Sequence, residues 1–330
     1  MTPDRRSPAS WSRRLGLGRL CYYAWHWPVG ELRRSRAAGG PLEQWRTARG
    51  RAAMAAAART LPVPPANAQP PLELHVLTGH RFWEQTAFCL WSFAATSRRP
   101  LAPVIYDDGS LAVDEAAALR RLFPDTRLVS RDEAVARLDA HLPAPRFPVL
   151  RERWLRYPNI RKLICPHIGR RGWRLVIDSD LLFFRTPAAL VEWLDAPAHP
   201  LHAVDCETSY GYSRPLLDRL AGAPVADLVN VGLCGLDSSS LDWERLEYWC
   251  DQLIVAEGTS YYLEQALVAM LVAGRDCAIA PTTDYVTRPL PPEAHDCRAV
   301  MHHYVAGSKP AYFRHNWRRV LQLHAAPASS

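Results

Sequence analysis

The chain has 330 residues, 48% of them hydrophobic and 22% charged, which is enough to bury a full-sized core and excludes wholesale disorder. Arg, Asp, Glu or Pro breaks every apolar run before the roughly 18 to 20 residues that a membrane crossing needs. The formal net charge of +7 is carried by residues 1–70, which hold 12 Arg against three acids; residues 71–330 hold 28 basic and 30 acidic side chains, so that part has no general basicity with which to grip nucleic acid.

Residues 1–70 read as a basic, Arg/Ala/Pro-rich N-terminal tail without a core of its own. Within it Trp11-Ser12-Arg13-Arg14 and the run from Leu20 to Trp27 set aromatic rings beside arginines, a composition suited to the headgroup layer of an anionic membrane, although Pro28 and the glycines interrupt any long amphipathic helix and a flexible basic leader is the plainer reading. Residues 71–330 read as one α/β domain. Leu72–Leu77 is a strand, Arg81–Ala95 an apolar helix, and Pro103–Tyr106 a second strand ending at the turn Asp107-Asp108-Gly109. Helices over Asp114–Leu122 and Arg131–Leu138 flank a strand at Arg127–Ser130. A helix follows over Ile160–Ile168, then a strand at Arg174–Ile177 and a helix with Thr186 as N-cap and Pro187 in its first turn. A strand at Leu228–Leu236, helices at Trp243–Ala256 and Tyr261–Val272, and short strands near Ala278 and Ala299–His302 complete the reading. This βαβ rhythm predicts a mostly parallel central sheet covered by helices. The eight cysteines are scattered and form no C-x-x-C pair, which suits a reducing, cytoplasmic compartment.

The strand ending in Asp178-Ser179-Asp180 carries the strongest chemical signal. Two carboxylates at a spacing of two face one side if the backbone stays extended, and ligands of parallel α/β sheets gather at the carboxyl ends of strands. Carboxylate oxygens there suit a hard divalent cation, Mn²⁺ or Mg²⁺, able to neutralise a diphosphate; capping of turn amides is the plainer reading of the same string. The chain uses 38 Arg and only two Lys, Lys162 and Lys309. A position that keeps lysine in so Arg-rich a chain points to a need for a compact ammonium.

Taken in order, Lys162, Asp178-x-Asp180, Asn230-x-Gly232, Glu264-Gln265 and His303-x5-Lys309-Pro310 resemble the motifs of the metal-dependent, GT-A-fold (Rossmann-like) glycosyltransferases, within them the retaining glycogenin and bacterial lipopolysaccharide galactosyltransferase group. The resemblance covers about residues 72–313 and implies a small antiparallel element near the D-x-D motif. It implies that Leu77, Thr78 and Trp83 cradle the nucleotide base, and that Asp178, Asp180 and His303 hold the metal, Asp178 also reaching the ribose. Asn230 and Gly232 would lie beside the donor sugar with Lys162, Glu264 and Gln265 would face the reacting sugar, and Gly307 and Lys309 would contact the diphosphate. The implied partners are a nucleotide-sugar donor, expected to be a UDP-sugar, and a glycan, lipid-linked or protein acceptor; the composition of the tail, apart from the resemblance, adds the expectation of a protein peripheral at the inner membrane face. Two departures stand out: Ala306 occupies the family's glycine slot with Gly307 one place late, and Glu264 replaces an aspartate. The alternatives are a haloacid-dehalogenase-type phosphatase, for which Leu182 fills the wrong slot and no acid follows Lys309, and a non-catalytic carbohydrate-binding or scaffold relative.

Overall fold

The computed structural model describes residues 40–324; Trp11–Arg14 and Leu20–Trp27, with the membrane-surface expectation attached to them, lie outside the described residues. Two compact units divide the chain at Ala52/Ala53. The helix α1 spans Pro41–Ala58, and within the second unit Met54, Ala58 and Leu61 are buried in the core. No described helix is long and apolar enough to cross a membrane.

The second unit is built on a seven-stranded sheet of β1 (Leu72–Thr78), β2 (Leu101–Asp107), β3 (Arg127–Val129), β4 (Trp173–Ile177), β6 (Leu201–Val204), β7 (Val229–Asp237) and β8 (Ala278–Ile279), in the order β3-β2-β1-β4-β7-β6-β8. β1 pairs in parallel with both β2 and β4, while β7 runs antiparallel to β4 and β6. The sheet is thus mostly parallel, with its antiparallel element beside the D-x-D turn. A second, three-stranded sheet sets β5 (Leu181–Phe183) antiparallel to β10 (Met301–His303), which pairs in parallel with β9 (Tyr285–Thr287).

Two apolar cores flank the main sheet, Leu72, Leu74 and Val76 of β1 entering one and Val229, Val231, Cys234 and Leu236 of β7 the other. α2 (Trp83–Ser97) is almost wholly buried, so its apolar sequence needs no polar face. Its few hydroxyls have tasks: Ser92 Oγ accepts the Phe183 amide at 3.1 Å and Thr86 donates to Thr78 Oγ1 at 2.8 Å. With the edge-to-face pair Phe93–Phe183 at 5.1 Å, these contacts fix β5, and with it the preceding acidic turn, against α2. The remaining helices are α3 (Val113–Leu122), α4 (Arg131–His141), α5 (Pro148–Arg156), α6 (Ile160–Ile164), α7 (Ala188–Asp195), α8 (Arg214–Ala221), α9 (Trp243–Glu257), α10 (Leu263–Leu271) and α11 (Pro291–Asp296). Three contiguous segments, Lys309–Ala311, the π-helical Tyr312–Asn316 and Trp317–His324, form the last helix, α12.

Two local expectations are corrected. The helix read to Ile168 stops at Ile164, because Pro166 offers no amide to continue it and Gly169 turns the chain at φ +64°. α7 starts at Ala188 with Pro187, not Thr186, as its cap, while the Thr186 hydroxyl donates to the Thr96 carbonyl at 3.0 Å.

Candidate active site

The strand order reverses between β1 and β4, and the chain leaves β4 there at Asp178. Such a reversal opens a crevice at the carboxyl ends of the strands. The Asp178 amide donates to Gly232 O of β7 at 2.9 Å, after which the chain turns at Ser179-Asp180 into β5. The backbone is therefore not extended through the motif, as the spacing argument assumed; convergence of the two acids is achieved by the turn and by register. β10 places His303 opposite Leu181, the residue after Asp180, and the Tyr304 amide donates to Asp180 O at 3.1 Å.

His303 Nε2 consequently lies 3.3 Å from Asp180 Oδ1 and 3.6 Å from Asp178 Oδ2. One ligand atom from each of the three residues falls within 4.8 Å of the others. Two carboxylate oxygens and one imidazole nitrogen fit a divalent cation. Gly232 makes the close approach possible: a Cβ there would lie 2.4 Å from His303 Cε1 and 2.6 Å from its Nδ1. The Asn230 side-chain oxygen accepts the Gly232 amide at 2.9 Å, which fixes this turn of β7 beneath the ring.

Both lysines of the chain meet this cluster. Lys162, on α6, donates to Asp178 Oδ1 at 2.8 Å and lies 3.6 Å from Glu264 Oε2, while Lys309, at the start of α12, donates to Asp180 Oδ2. Burial alone would favour the neutral Lys162 amine, but Asp178 and Glu264 outweigh it and hold its pKa above the ordinary lysine range. Burial likewise pushes the Asp180 carboxyl up, and Lys309 and His303 outweigh it and hold that group well below the usual carboxylate range. Glu264 behaves otherwise. It is 4% exposed, Lys162 is nearer to Asp178 than to it, and burial, against the pull of Lys162, raises its pKa to about 7.

A group raised on folding contributes stability that is complete below its unfolded value, here 4.5, and lost as pH rises through about 7. Glu264→Gln is accordingly expected to be more stable than the parent at pH 8, by on the order of 3 kcal/mol, with the gap closing toward pH 4.5. Urea titrations in EDTA at pH 5 and pH 8 check this; a gap of equal size at both pH values contradicts it.

Glu264 and Gln265 occupy the first turn of α10. Gln265 Nε2 donates to Asp205 Oδ2 at 2.8 Å, which leaves its carbonyl oxygen to offer to a ligand. These residues, with Lys162, Asp178, Asp180, Asn230, Gly232, His303 and Lys309, line one cleft of about 450 Å³. The structure therefore brings together nine of the residues singled out in the sequence.

It does not bring in the rest. Thr78 and Trp83 are each 2% exposed and belong to the packed interior, and neither they nor Leu77 line the cleft; Phe82, one residue before Trp83, does. Gly307 lines a different cavity, and Ala306 stands at the cleft instead. Ala306 adopts φ +46°, the left-handed backbone that glycine adopts without cost. The local bend is thus kept while its glycine is not. Ala306→Gly is expected to stabilise the protein by about 1 kcal/mol, read as a higher urea midpoint at unchanged m. A lower midpoint contradicts that strain.

Tyr157, Asn159, Ser209, Tyr261, Tyr262 and Arg288 also line the cleft and carry no motif that could have announced them. Asp205 and Glu207 also line the cleft, whereas the nearby Tyr210 hydroxyl is taken by the Val229 amide at 3.0 Å and the Ala226 carbonyl.

No family model matches the sequence, and no curated protein does. Among solved structures, galactosyltransferase LgtC in complex with donor and acceptor sugar analogs is similar at 15% identity and a TM-score of 0.52, over 78% of this chain and 98% of that one. A glutamine-to-glutamate active-site mutant of LgtC is similar at 13% identity and a TM-score of 0.51, over 78% and 98%. What this chain shares with galactosyltransferase LgtC is its fold, the mixed α/β GT-A arrangement anticipated from its motifs.

Proposed function

We propose that this chain is a divalent-metal-dependent glycosyltransferase that moves a sugar from a nucleotide-sugar donor, a UDP-sugar, to a hydroxyl acceptor with retention of anomeric configuration. The observation that carries the reading is the meeting of Asp178, Asp180 and His303 at 3.3 and 3.6 Å, at the switch point of a fold on which LgtC binds donor and acceptor sugar analogs. Asp178, Asp180 and His303 would hold the ion, and an ion bound there supplies charge neutralisation to a diphosphate.

The chain's own residues do the rest. In the transfer, the bond from the anomeric carbon to the diphosphate oxygen breaks and the acceptor oxygen bonds to the same carbon. The acceptor proton leaves with the departing diphosphate. Lys309, at the mouth of the motif, places an ammonium where that negative charge grows, the kind of stabilisation that is strongest in a water-poor cleft. Gln265, held by Asp205, presents its carbonyl oxygen to a sugar hydroxyl. Glu264 is uncharged or half-charged near neutral pH and can donate as well as accept a hydrogen bond there. The exposed rings of Tyr261 and Tyr262 stand edge to face at 5.3 Å beside the cleft, a wall on which a sugar or base can stack.

Incubation with a panel of nucleotide sugars and Mn²⁺ tests the reading. Slow hydrolysis of one UDP-sugar, abolished by EDTA and restored by Mn²⁺, is the expected result. No cleavage of any donor, or phosphate release from simple phosphate esters, would overturn it.

A further inference from the structure

The folded part of the chain is close to neutral, yet residues 285–324 hold six Arg or Lys side chains against two acids. The two acids are occupied: Glu293 bonds His302 and the Ala299 amide, and Asp296 faces His295 and Arg298. Lys309 is taken by Asp180 and Arg298 by Asp296, and the other four, Arg288, Arg314, Arg318 and Arg319, line a second cavity of about 750 Å³, Arg288 with Glu207 as its partner at 3.3 Å. α12 turns one face into it, with Arg314, Arg318 and Gln322 spaced four apart and Arg319 beside them. Tyr312, Phe313, Trp317 and Val320 bury the opposite face. The facing wall is α11 and the loop before it. Asn316 bonds across the floor to the Ala294 carbonyl at 2.7 Å and the Tyr304 hydroxyl at 2.6 Å, so the two walls are joined by buried hydrogen bonds. No acidic residue lines the cavity, and Arg319 has no carboxylate partner among the described residues.

Arg288 lines both this cavity and the catalytic cleft. Its backbone is held in the left-handed region at φ +55° by the bond from its amide to His303 O at 2.9 Å, which joins the two cavities through a metal-ligand strand. Guanidinium groups present forked donors that match phosphate oxygens, and several around one cavity suit a phosphate more than a neutral sugar.

We infer that the arginine-lined cavity is a subsite for a phosphate group carried by the acceptor, whose reacting sugar would lie on the far side of Arg288 in the catalytic cleft. The acceptor role rests on the sugar-transfer reading; the phosphate subsite itself does not.

The test titrates glucose 6-phosphate and glucose into the full chain in EDTA, so that no ion assists binding at the catalytic cleft. Glucose 6-phosphate is expected to bind, more weakly as salt rises, and glucose is not. Arg314→Ala/Arg319→Ala should weaken binding about tenfold or more, and the single exposed change Arg319→Glu should act in the same direction. Melting temperatures of these variants confirm that they fold. Arg120→Ala, on α3 and lining neither cavity, should leave glucose 6-phosphate binding as it is. Absence of binding, equal binding by the double variant, or an equal loss with Arg120→Ala would overturn the inference. So would binding to vesicles containing phosphatidic acid without any binding of the soluble phosphate, which would make the cavity a lipid contact. UDP binding with Mn²⁺ is measured in parallel. If UDP binds and glucose 6-phosphate does not, only the phosphate subsite falls; if glucose 6-phosphate binds and UDP does not, the sugar-transfer reading fails and takes the acceptor role with it.

Discussion

Asp180→Asn is expected to lower donor hydrolysis about a thousandfold while leaving the fold intact. Asp180 is the point where three parts of the site meet: His303 lies 3.3 Å away, Lys309 donates to its second oxygen, and its own carbonyl accepts the Tyr304 amide at 3.1 Å. Asparagine keeps the shape and the backbone bond but removes the charge. One ligand of the ion is weakened and Lys309 loses the carboxylate that aims it. Rates at saturating Mn²⁺, with far-ultraviolet circular dichroism as the control for folding, decide the matter. A rate within about tenfold of the parent would mean that the carboxylate is a structural cap.

Gly232→Ala is expected to act through a residue that it never bonds. The added methyl would meet the His303 ring at 2.4 Å, closer than real Cβ contacts come. The ring is 4% exposed and its strand is paired on both sides, by β5 and β9, so it has little room to yield except by tilting from the two acids. The strain should cost about 1–3 kcal/mol of stability, and metal affinity should fall about 10–100-fold. The two readouts separate the explanations: a stability loss with unchanged metal affinity would show that β7, and not the imidazole, absorbs the clash.

The paired acids, both lysines, the glycine under the imidazole and the α10 dyad were legible because each belongs to a short segment whose chemistry is concentrated in one or two residue types. Lysine in an Arg-rich chain was a usable signal for the same reason, and both lysines reach the acidic pair. Long buried strands such as β1, β2 and β7 announced themselves by dense apolar residues over seven to nine positions, interrupted by single polar ones such as Glu73 and Asn230. The second sheet did not: β5 and β9 have three residues each, and no periodicity is definable over so short a span. Without β5, the sequence offered no way to see that the acidic motif turns and that β10 supplies the register for His303. Leu77, Thr78 and Trp83 lie off the cleft for a finer reason. A strand-to-helix turn was identified, but which of Phe82 and Trp83 faces the cleft depends on the helix phase, and the phase is set by Trp83 packing into the core. Ala306 stood out only as an alanine in a glycine slot; its left-handed backbone, imposed by the surrounding fold, leaves no mark of its own on the sequence.

The proposed chemistry requires Asp178, Asp180 and His303 to hold one ion. Titration of the metal-free protein with Mn²⁺, followed by electron paramagnetic resonance, addresses that directly. One bound ion per chain is predicted, with nitrogen coupling from a single imidazole that disappears in His303→Ala and with binding weakened in Asp180→Asn. A bound ion that shows no nitrogen coupling, or one whose spectrum is unchanged in both variants, would contradict the assignment.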